Sequence, residues 1–199
     1  MAITNGYTTL AQVQYRLNPA GLTGQTTDDA VIERMVEGVS RWIDNLTRRT
    51  FYARTETHYY DCPQSGLALF INDDTLLSIS TLTNGDGTVI TSGQYKLYPL
   101  NTTQKYEIVL LPSAGITWTL STADDVEAAI SVAGTWGWTS SAPHDIREAC
   151  EEIVVIAFKN RTGLGDSAAH LSAFGAIMPD AKIPDIAAAI LAAYPPVMT

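Results

Sequence analysis

The strongest constraint on the fold of this chain is a long amphipathic helix pattern. A strand pattern follows it almost directly. Between residues 28 and 49 the apolar side chains recur at steps of three and four, so they share one helical face: Ile32, Met35, Val36, Val39, Trp42, Ile43 and Leu46. Thr55, Thr57 and Tyr59 then alternate with other residues, as in a half-buried strand. A helix with such a stripe needs a partner surface.

The ends of this helix are marked by capping residues and charges. Thr27, Asp28 and Asp29 offer an N-cap and first-turn carboxylates that complement the positive end of the helix dipole. Arg48 and Arg49 stand where cations favour the opposite end. We therefore predict a helix over residues 28–49.

Two further helices are predicted on either side of a β-rich region. The apolar spacing after Thr9 indicates a short helix over residues 9–18. Pro143 begins a long helix over residues 143–162, because proline is favoured in the first turn of a helix. The apolar stripe of this long helix is broad, so we expect it to be buried between the sheet and the 28–49 helix or against a neighbouring subunit.

The C-terminal part of the chain has a different composition. Residues 163–182 are rich in Gly, Ala and Ser without a firm period, which indicates a mobile arm. Residues 183–194 favour a short Ala-rich helix that is marginal alone in water, so we expect it to dock onto another surface. We predict one domain over residues 1–162, followed by a flexible arm and docking helix over residues 163–199.

The region from residue 51 to residue 138 is rich in Thr, Val, Ile, Tyr and Gly, which is typical of antiparallel sheet. Residues 84–87, Asn-Gly-Asp-Gly, predict a hairpin turn. The predicted fold class is therefore α+β, a small helical bundle with a central antiparallel β-rich insertion. Strands are expected at about residues 55–62, 67–71, 77–83, 94–97, 106–110 and 127–133.

Charge and hydropathy exclude several classes of function. The net charge is −9 with only 12 Lys and Arg residues, which argues against binding nucleic acid by neutralising phosphates. The first nine residues lack the pattern of a secretory leader, and no apolar run approaches the length of a membrane span. We expect a protein that is soluble and cytoplasmic when made, with no membrane partner.

The sequence contains little that catalysis requires. His58, His144 and His170 have no metal-binding or catalytic spacing, and no nucleophile motif accompanies them. Cys62 and Cys150 lie far apart, and we expect buried free thiols. The sequence predicts no enzyme, no metal and no cofactor.

Three pairs of adjacent carboxylates are explained by turns and solvated faces, because neighbouring residues on a helix or strand point apart: Asp73–Asp74, Asp124–Asp125 and Glu151–Glu152. The Trp-Gly-Trp run of Trp136 and Trp138 is the one aromatic cluster that could mark a recognition surface. Core packing is the favoured role, with one indole beneath the following helix and the other near the surface.

The order of these elements resembles the phage head-to-tail connector proteins, also called neck adaptors or head-completion proteins. The resemblance rests on the opening helix YTTLAQVQYRLN, on the capped helix that ends in WIDNLTRRTF, and on AAISVAGTWGW followed by PHDIREAC. It spans about residues 7–161. The central β region and the arm after Gly163 are longer than a minimal connector needs.

The resemblance implies a ring of about a dozen copies beneath the portal, which joins the DNA-filled head to the tail and extends the DNA channel. The implied partners are other copies of the chain, the portal protein, and the tail or a second neck protein. DNA would pass without specific binding, and part of the negative charge would line the channel. The implied location is the virion neck, after assembly in the host cytoplasm.

The resemblance further implies that residues 183–199 reach onto the portal. Two alternatives stay open, a tail-completion or tail-terminator ring protein and a small ligand-binding or enzymatic domain. Ten side chains are the candidate contacts with neighbouring subunits or the portal: Trp42, Trp136, Trp138, Ile153, Phe158, Ile183, Ile186, Ile190, Leu191 and Tyr194.

Overall fold

The computed structural model describes residues 3–18, 28–72, 74–162 and 183–194. Its backbone contacts divide the chain into a helical unit, residues 1–49 and 142–198, and a β unit, residues 50–141. The predicted α+β class is confirmed, with a helical bundle that is interrupted by a β-rich insertion. The C-terminal helix belongs to the helical unit, and the flexible arm predicted over residues 163–182 lies outside the described residues.

Four helices form the helical unit within the described residues: α1 (Leu10–Leu17), α2 (Asp29–Thr47), α3 (His144–Thr162) and α4 (Asp185–Ala192). Each lies inside its predicted range. α3 packs against α1, α2 and α4, which makes it the centre of the unit. Its central position agrees with the broad apolar stripe in its sequence.

Helix α1 is short and depends on its caps. The Thr9 hydroxyl accepts a hydrogen bond from the Gln12 backbone N–H, and the Gln12 side chain accepts one from the Thr9 backbone N–H. This reciprocal arrangement satisfies two backbone donors that an eight-residue helix would otherwise leave to water. Asn18 closes the helix, with its N–H bonded to the Gln14 carbonyl.

Helix α2 buries the predicted stripe, with Trp42 and Leu46 at its less buried border. The helix ends at Arg48, whose backbone adopts the left-handed conformation at φ 50°. Asp28 precedes the first turn and makes no side-chain cap bond, which differs from the predicted cap. Thr27, the other predicted capping residue, lies outside the described residues.

A charged cluster connects α1 to α3. The Arg16 guanidinium contacts Glu148, lies 3.0 Å from a Glu151 carboxylate oxygen and lies 3.0 Å from a Glu152 oxygen. The Thr8 hydroxyl donates a 2.9 Å hydrogen bond to Glu151. Glu151 is only 6% exposed. The prediction that Glu151 and Glu152 lie on a solvated face is therefore wrong, because one long side chain reaches three carboxylates spaced by three and four residues.

A second buried polar group connects the N-terminal segment to α2. The Tyr7 backbone N–H donates to Ser40 Oγ at 2.9 Å, and that hydroxyl donates to the Val36 carbonyl at 2.7 Å. Cys150 Sγ of α3 lies 3.6 Å from the same oxygen. Cys62 and Cys150 are both buried and free, which confirms the expectation for the thiols.

The described residues of the β unit form two antiparallel sheets. The strands are β1 (Arg54–Tyr60), β2 (Ala68–Phe70), β3 (Leu76–Thr83), β4 (Val89–Ile90), β5 (Tyr95–Tyr98), β6 (Glu107–Leu110) and β7 (Ile130–Trp136). One sheet has the strand order β1-β7-β3-β4 and the other β2-β6-β5. Six of the strands match the predicted set, whereas β4 was not predicted because it has only two residues.

Strand β7 begins three residues later than predicted and extends to Trp136. Ala128 has a left-handed backbone at φ 52°, which a strand does not accept, and its N–H bonds to the Asp61 carboxylate at 2.9 Å. The strand therefore begins only after this turn. The predicted hairpin is confirmed, since Gly87 at φ 84° donates to the Asn84 carbonyl and β3 pairs with β4.

One hydrophobic core lies between the two sheets, and residues from both contribute to it. Alternate residues of each strand point into this core, as the period of two requires. The buried members are Cys62, Leu69, Ile71, Leu76, Leu82, Ile90, Tyr95, Ile108, Leu110, Trp118, Ile130, Val132 and Trp136.

Removing the cation of the α1–α3 cluster is expected to destabilise the helical unit. Arg16→Met leaves the buried Glu151 carboxylate without its charged partner, which costs about 2–4 kcal/mol of unfolding free energy. Arg34→Met, at an exposed position of α2, is the matched control and should change stability by less than about 0.5 kcal/mol. Urea titration followed by helical circular dichroism measures both, and equal losses would contradict the assignment.

Gly134 in the central strand β7 is expected to tolerate no side chain. A Cβ atom there would overlap the Ser78 carbonyl oxygen of β3, so Gly134→Ala should lose about 1–3 kcal/mol of stability in the β unit. Gly93→Ala is the control, because no atom lies within 4 Å of its Cβ position. Near-ultraviolet circular dichroism during urea unfolding reports the β unit; a Gly134→Ala midpoint equal to that of the control would refute this prediction.

Candidate functional site

The two indoles of the Trp-Gly-Trp run have different environments. Trp136 is fully buried in the β unit, where its ring stacks on His58 with centroids 3.9 Å apart and its Nε1–H donates to the Glu56 carbonyl at 3.1 Å. The predicted contact role of Trp136 is therefore wrong, because its side chain presents no surface to a second molecule. The structure places this buried indole in the core of the β unit.

Trp138 is half-buried and meets Phe51 edge to face, with centroids 6.2 Å apart. Its carbonyl accepts a 2.8 Å hydrogen bond from Gln104 Nε2, and its N–H donates to the Thr50 carbonyl. These contacts fix the end of the β unit where the chain leaves it. An interface role for Trp138 stays a prediction.

The candidates on α2 and α3 differ in exposure. Trp42 and Phe158 are half-buried, whereas Ile153 is only 5% exposed. Ile153 is therefore used within the helical unit and offers little surface to a neighbouring subunit. Trp42 and Phe158 keep part of their surface accessible and stay candidate contacts.

Helix α4 docks on α3 of its own chain. Ala187 and Leu191 are buried, with Leu191 at 5% exposure, whereas Ile186 on the same helix is 68% exposed. Ile183 and Ile190 are intermediate. The expected docking of this short helix is thus found within the chain, and Leu191 is removed from the candidate contacts with other proteins.

Tyr194 connects the end of the α4 segment to the first turn of α3. Its hydroxyl donates a 2.8 Å hydrogen bond to the Asp145 carboxylate. Burial, together with this bond and the carboxylate charge, raises the pKa of Tyr194 to about 12. Residues 195–199 lie outside the described residues. The resemblance implies that residues 183–199 reach onto the portal. The side of α4 that faces α3 is covered by its own chain and is not available for that contact.

A set of exposed apolar side chains in the β unit was not predicted from the sequence. Tyr59, Phe70 and Val89 share strands with buried residues and point to the opposite face of their sheet, whereas Leu100 lies in the turn after β5. Alternation along each strand was the available signal, but which face is covered depends on strand pairing, which the sequence did not provide. The most exposed are Tyr59 at 65%, Phe70 at 61%, Leu100 at 58% and Val89 at 55%.

Two cysteines and one histidine that could support catalysis are engaged in packing. Burial raises the pKa of Cys62 and raises that of Cys150 to about 12, so neither thiol supplies a thiolate nucleophile near neutral pH. His58 is stacked on Trp136 and lies 3.2 Å from Glu56. His144 is exposed at the start of α3, and His170 lies outside the described residues.

The described part of the chain offers neither a metal-binding cluster nor a membrane-spanning helix. Within residues 3–18, 28–72, 74–162 and 183–194, no group of three or more His, Cys, Asp and Glu side chains has a metal-binding arrangement. In the same ranges, no helix has both the length and the apolar content to span a bilayer.

Three chains of solved particle structures share the fold along its whole length. The first, from the neck of an empty gene transfer agent (GTA) particle computed with C6 symmetry, has a TM-score of 0.62 and 13% identity. The second, from the virion of a native GTA particle, has a TM-score of 0.60 and 16% identity. The third, from the neck of a native GTA particle computed with C12 symmetry, has a TM-score of 0.57 and 16% identity.

Each alignment covers 100% of this chain and 94% of the solved chain. The chain has the fold of these GTA chains. No family model and no curated protein sequence matches it. The likeness therefore extends over both units and the C-terminal helix, while few residue identities accompany it.

Two substitutions on α4 should separate its docked side from its exposed side. Leu191→Ala removes a buried side chain and should raise amide hydrogen exchange over residues 185–192 by about tenfold or more, because such a cavity costs about 2 kcal/mol or more. Ile186→Ala changes an exposed side chain and should leave exchange at the wild-type rate. Equal exchange in the two variants would show that α4 is not held through Leu191.

Proposed function

We propose that this chain is a structural head-to-tail adaptor of a tailed phage or phage-like particle. The observation that carries the proposal is a fold shared over the entire chain with proteins from the neck of GTA particles. In this role the chain joins the DNA-filled head to the tail, lies in the neck of the virion, and assembles in the host cytoplasm. It acts through binding surfaces and performs no catalysis.

The proposed assembly is a homo-oligomeric ring of about twelve copies beneath the portal. The C12 symmetry used for the native GTA neck supports this number, and the C6 symmetry used for the empty one is compatible with a twelve-copy ring. The partners of the ring are the portal protein on one side and the tail or a second neck protein on the other. A ring in this position extends the DNA channel.

The charge of the chain supports a channel that DNA passes without specific binding. The net charge is −9, and the sequence of residues 50–141 contains nine carboxylates and three cations. Carboxylates repel DNA phosphates and so discourage adhesion to the channel wall. An adaptor that held DNA tightly would slow its exit, so a net negative charge suits this role.

The exposed side of α4 is the proposed portal contact. Leu191 anchors this helix to α3, while Ile186 is left 68% exposed on a helix that is positioned by its own chain. A preorganised apolar side chain binds with a smaller loss of conformational entropy than one on an unstructured peptide. Trp42, Phe158, Ile183 and Ile190 are the remaining proposed contacts in the helical unit.

Deletion of the gene from its parent genome tests the proposal. Electron microscopy should show unjoined tails beside heads that have packaged and then lost their DNA, and complementation with the wild-type gene should restore joined particles. Normally joined particles after deletion would overturn the adaptor role. Binding of the purified chain to the tail tube end but not to purified portal would instead identify a tail-completion ring protein.

A further inference from the structure

The outer face of the four-stranded sheet carries no charged residue. Directly paired residues of antiparallel strands share a face, so the register defines three rows across the sheet. The rows are Tyr59–Ser131–Thr83–Val89, Thr57–Ala133–Thr81 and Thr55–Thr135–Ser78. We call these ten residues the hydroxyl face. Tyr59 and Val89, at the two ends of one row, are 65% and 55% exposed.

The three-stranded sheet has an outer face of a different kind. Its rows are Phe70–Glu107–Tyr98 and Ala68–Val109–Lys96, which we call the aromatic face. Phe70 is 61% exposed and Tyr98 is 37% exposed. One carboxylate and one ammonium group give this face no net charge. Because the core lies between the two sheets, the hydroxyl face and the aromatic face point away from each other.

The neutrality of both faces contrasts with the rest of the β unit, whose sequence carries nine carboxylates and three cations. The carboxylates are concentrated at strand ends and turns, including Asp61, Asp86, Asp124, Asp125 and Glu127. Interfaces between proteins deplete charge from their centre and keep it at the rim. The hydroxyl face has this arrangement, with an uncharged centre and acidic surroundings, whereas the aromatic face carries the opposite charges of Glu107 and Lys96, which give it no net charge.

We propose that the hydroxyl face of one copy of this chain binds the aromatic face of the next copy around the ring. This inference rests on the proposed function, because a closed ring requires a heterologous contact between two different surfaces of one subunit. A second copy is the occupant that the charges favour, since it brings the same net negative charge and can approach closely only where the two facing surfaces carry no net negative charge. A basic partner would instead be expected to meet the acidic turns.

The chemistry of the two faces suits such a contact. Phe70 and Tyr98 provide large, stiff apolar groups, and the short Thr, Ser and Ala side chains opposite allow the backbones of the two sheets to approach closely. Hydroxyl groups that remain at the contact can bond to Tyr98, Glu107 or water. Tyr59 and Val89 add apolar surface at the two ends of one row of the hydroxyl face.

Cross-linking in assembled particles tests this contact. The full chain with Thr57→Cys and Lys96→Cys places one thiol on each face, and a short bis-maleimide should connect neighbouring copies into a ladder of dimers, trimers and larger species. Each single variant should give no ladder, and the control pair Thr117→Cys with Lys96→Cys should give none, since Thr117 is exposed outside both faces. The native Cys62 and Cys150 are buried and should not react.

The amount of this chain in purified particles is measured first, because its absence would contradict the neck role itself. A chain present at the wild-type level without a ladder would overturn only the face-to-face contact. Cross-linking of Thr57→Cys to a thiol of the portal or of a tail protein would also overturn it. Mass spectrometry of the cross-linked peptides distinguishes these results.

A charge placed on the hydroxyl face provides a second readout. Thr57→Lys should lower the amount of chain in particles by about tenfold or more, because the new ammonium group would face Lys96 across the contact and like charges across an interface disfavour binding. Thr117→Lys is the matched control and should be incorporated at the wild-type level. Equal incorporation of the two variants, with unchanged circular dichroism, would overturn the proposal.

Discussion

The helical unit depends on keeping the buried Glu151 carboxylate paired. A carboxylate that is removed from water is tolerated only with a cation or several hydrogen bonds, and here Arg16 and Thr8 provide them from the N-terminal segment. This requirement joins α1 to α3, two helices that are distant in sequence. Helices α2 and α4 also pack on α3. The charged contact between Arg16 and Glu151 therefore stabilises the helix on which the other three pack.

The regular elements were predictable because their signals are local. The apolar spacing of α2, the proline before α3 and the Asn-Gly-Asp-Gly turn each act within a few residues, and the structure follows them. Features that depend on distant partners were not predictable. Glu151 is buried because Arg16 lies across from it, and β7 begins late because Asp61 holds the turn at Ala128.

The candidate contacts were predicted less well than the fold, for a related reason. Large apolar side chains are needed both in cores and at interfaces, and sequence alone does not separate the two uses. Trp136 and Leu191 proved to be core, whereas Ile186 is exposed. The hydroxyl face was not predicted because isolated Thr and Ser residues do not indicate an interface. They form one continuous surface only when β1, β7, β3 and β4 are paired.

These features combine into a consistent physical account of a ring subunit. Each unit has its own core, the docking helix is held by its own chain, and an acidic β unit presents two neutral faces in opposite directions. In the proposed role, the negative charge would discourage binding to DNA, while the two faces without net charge would permit contact between copies. The fold shared with GTA neck chains gives this combination its proposed setting.

A single-particle reconstruction of the neck of the parent particle would show whether this chain forms the ring. We expect about twelve copies of the chain between the portal and the tail, with α4 packed on α3 in each copy. A neck in which this chain is absent, or in which it lies outside the channel as isolated copies, would show that the chain is not the ring subunit.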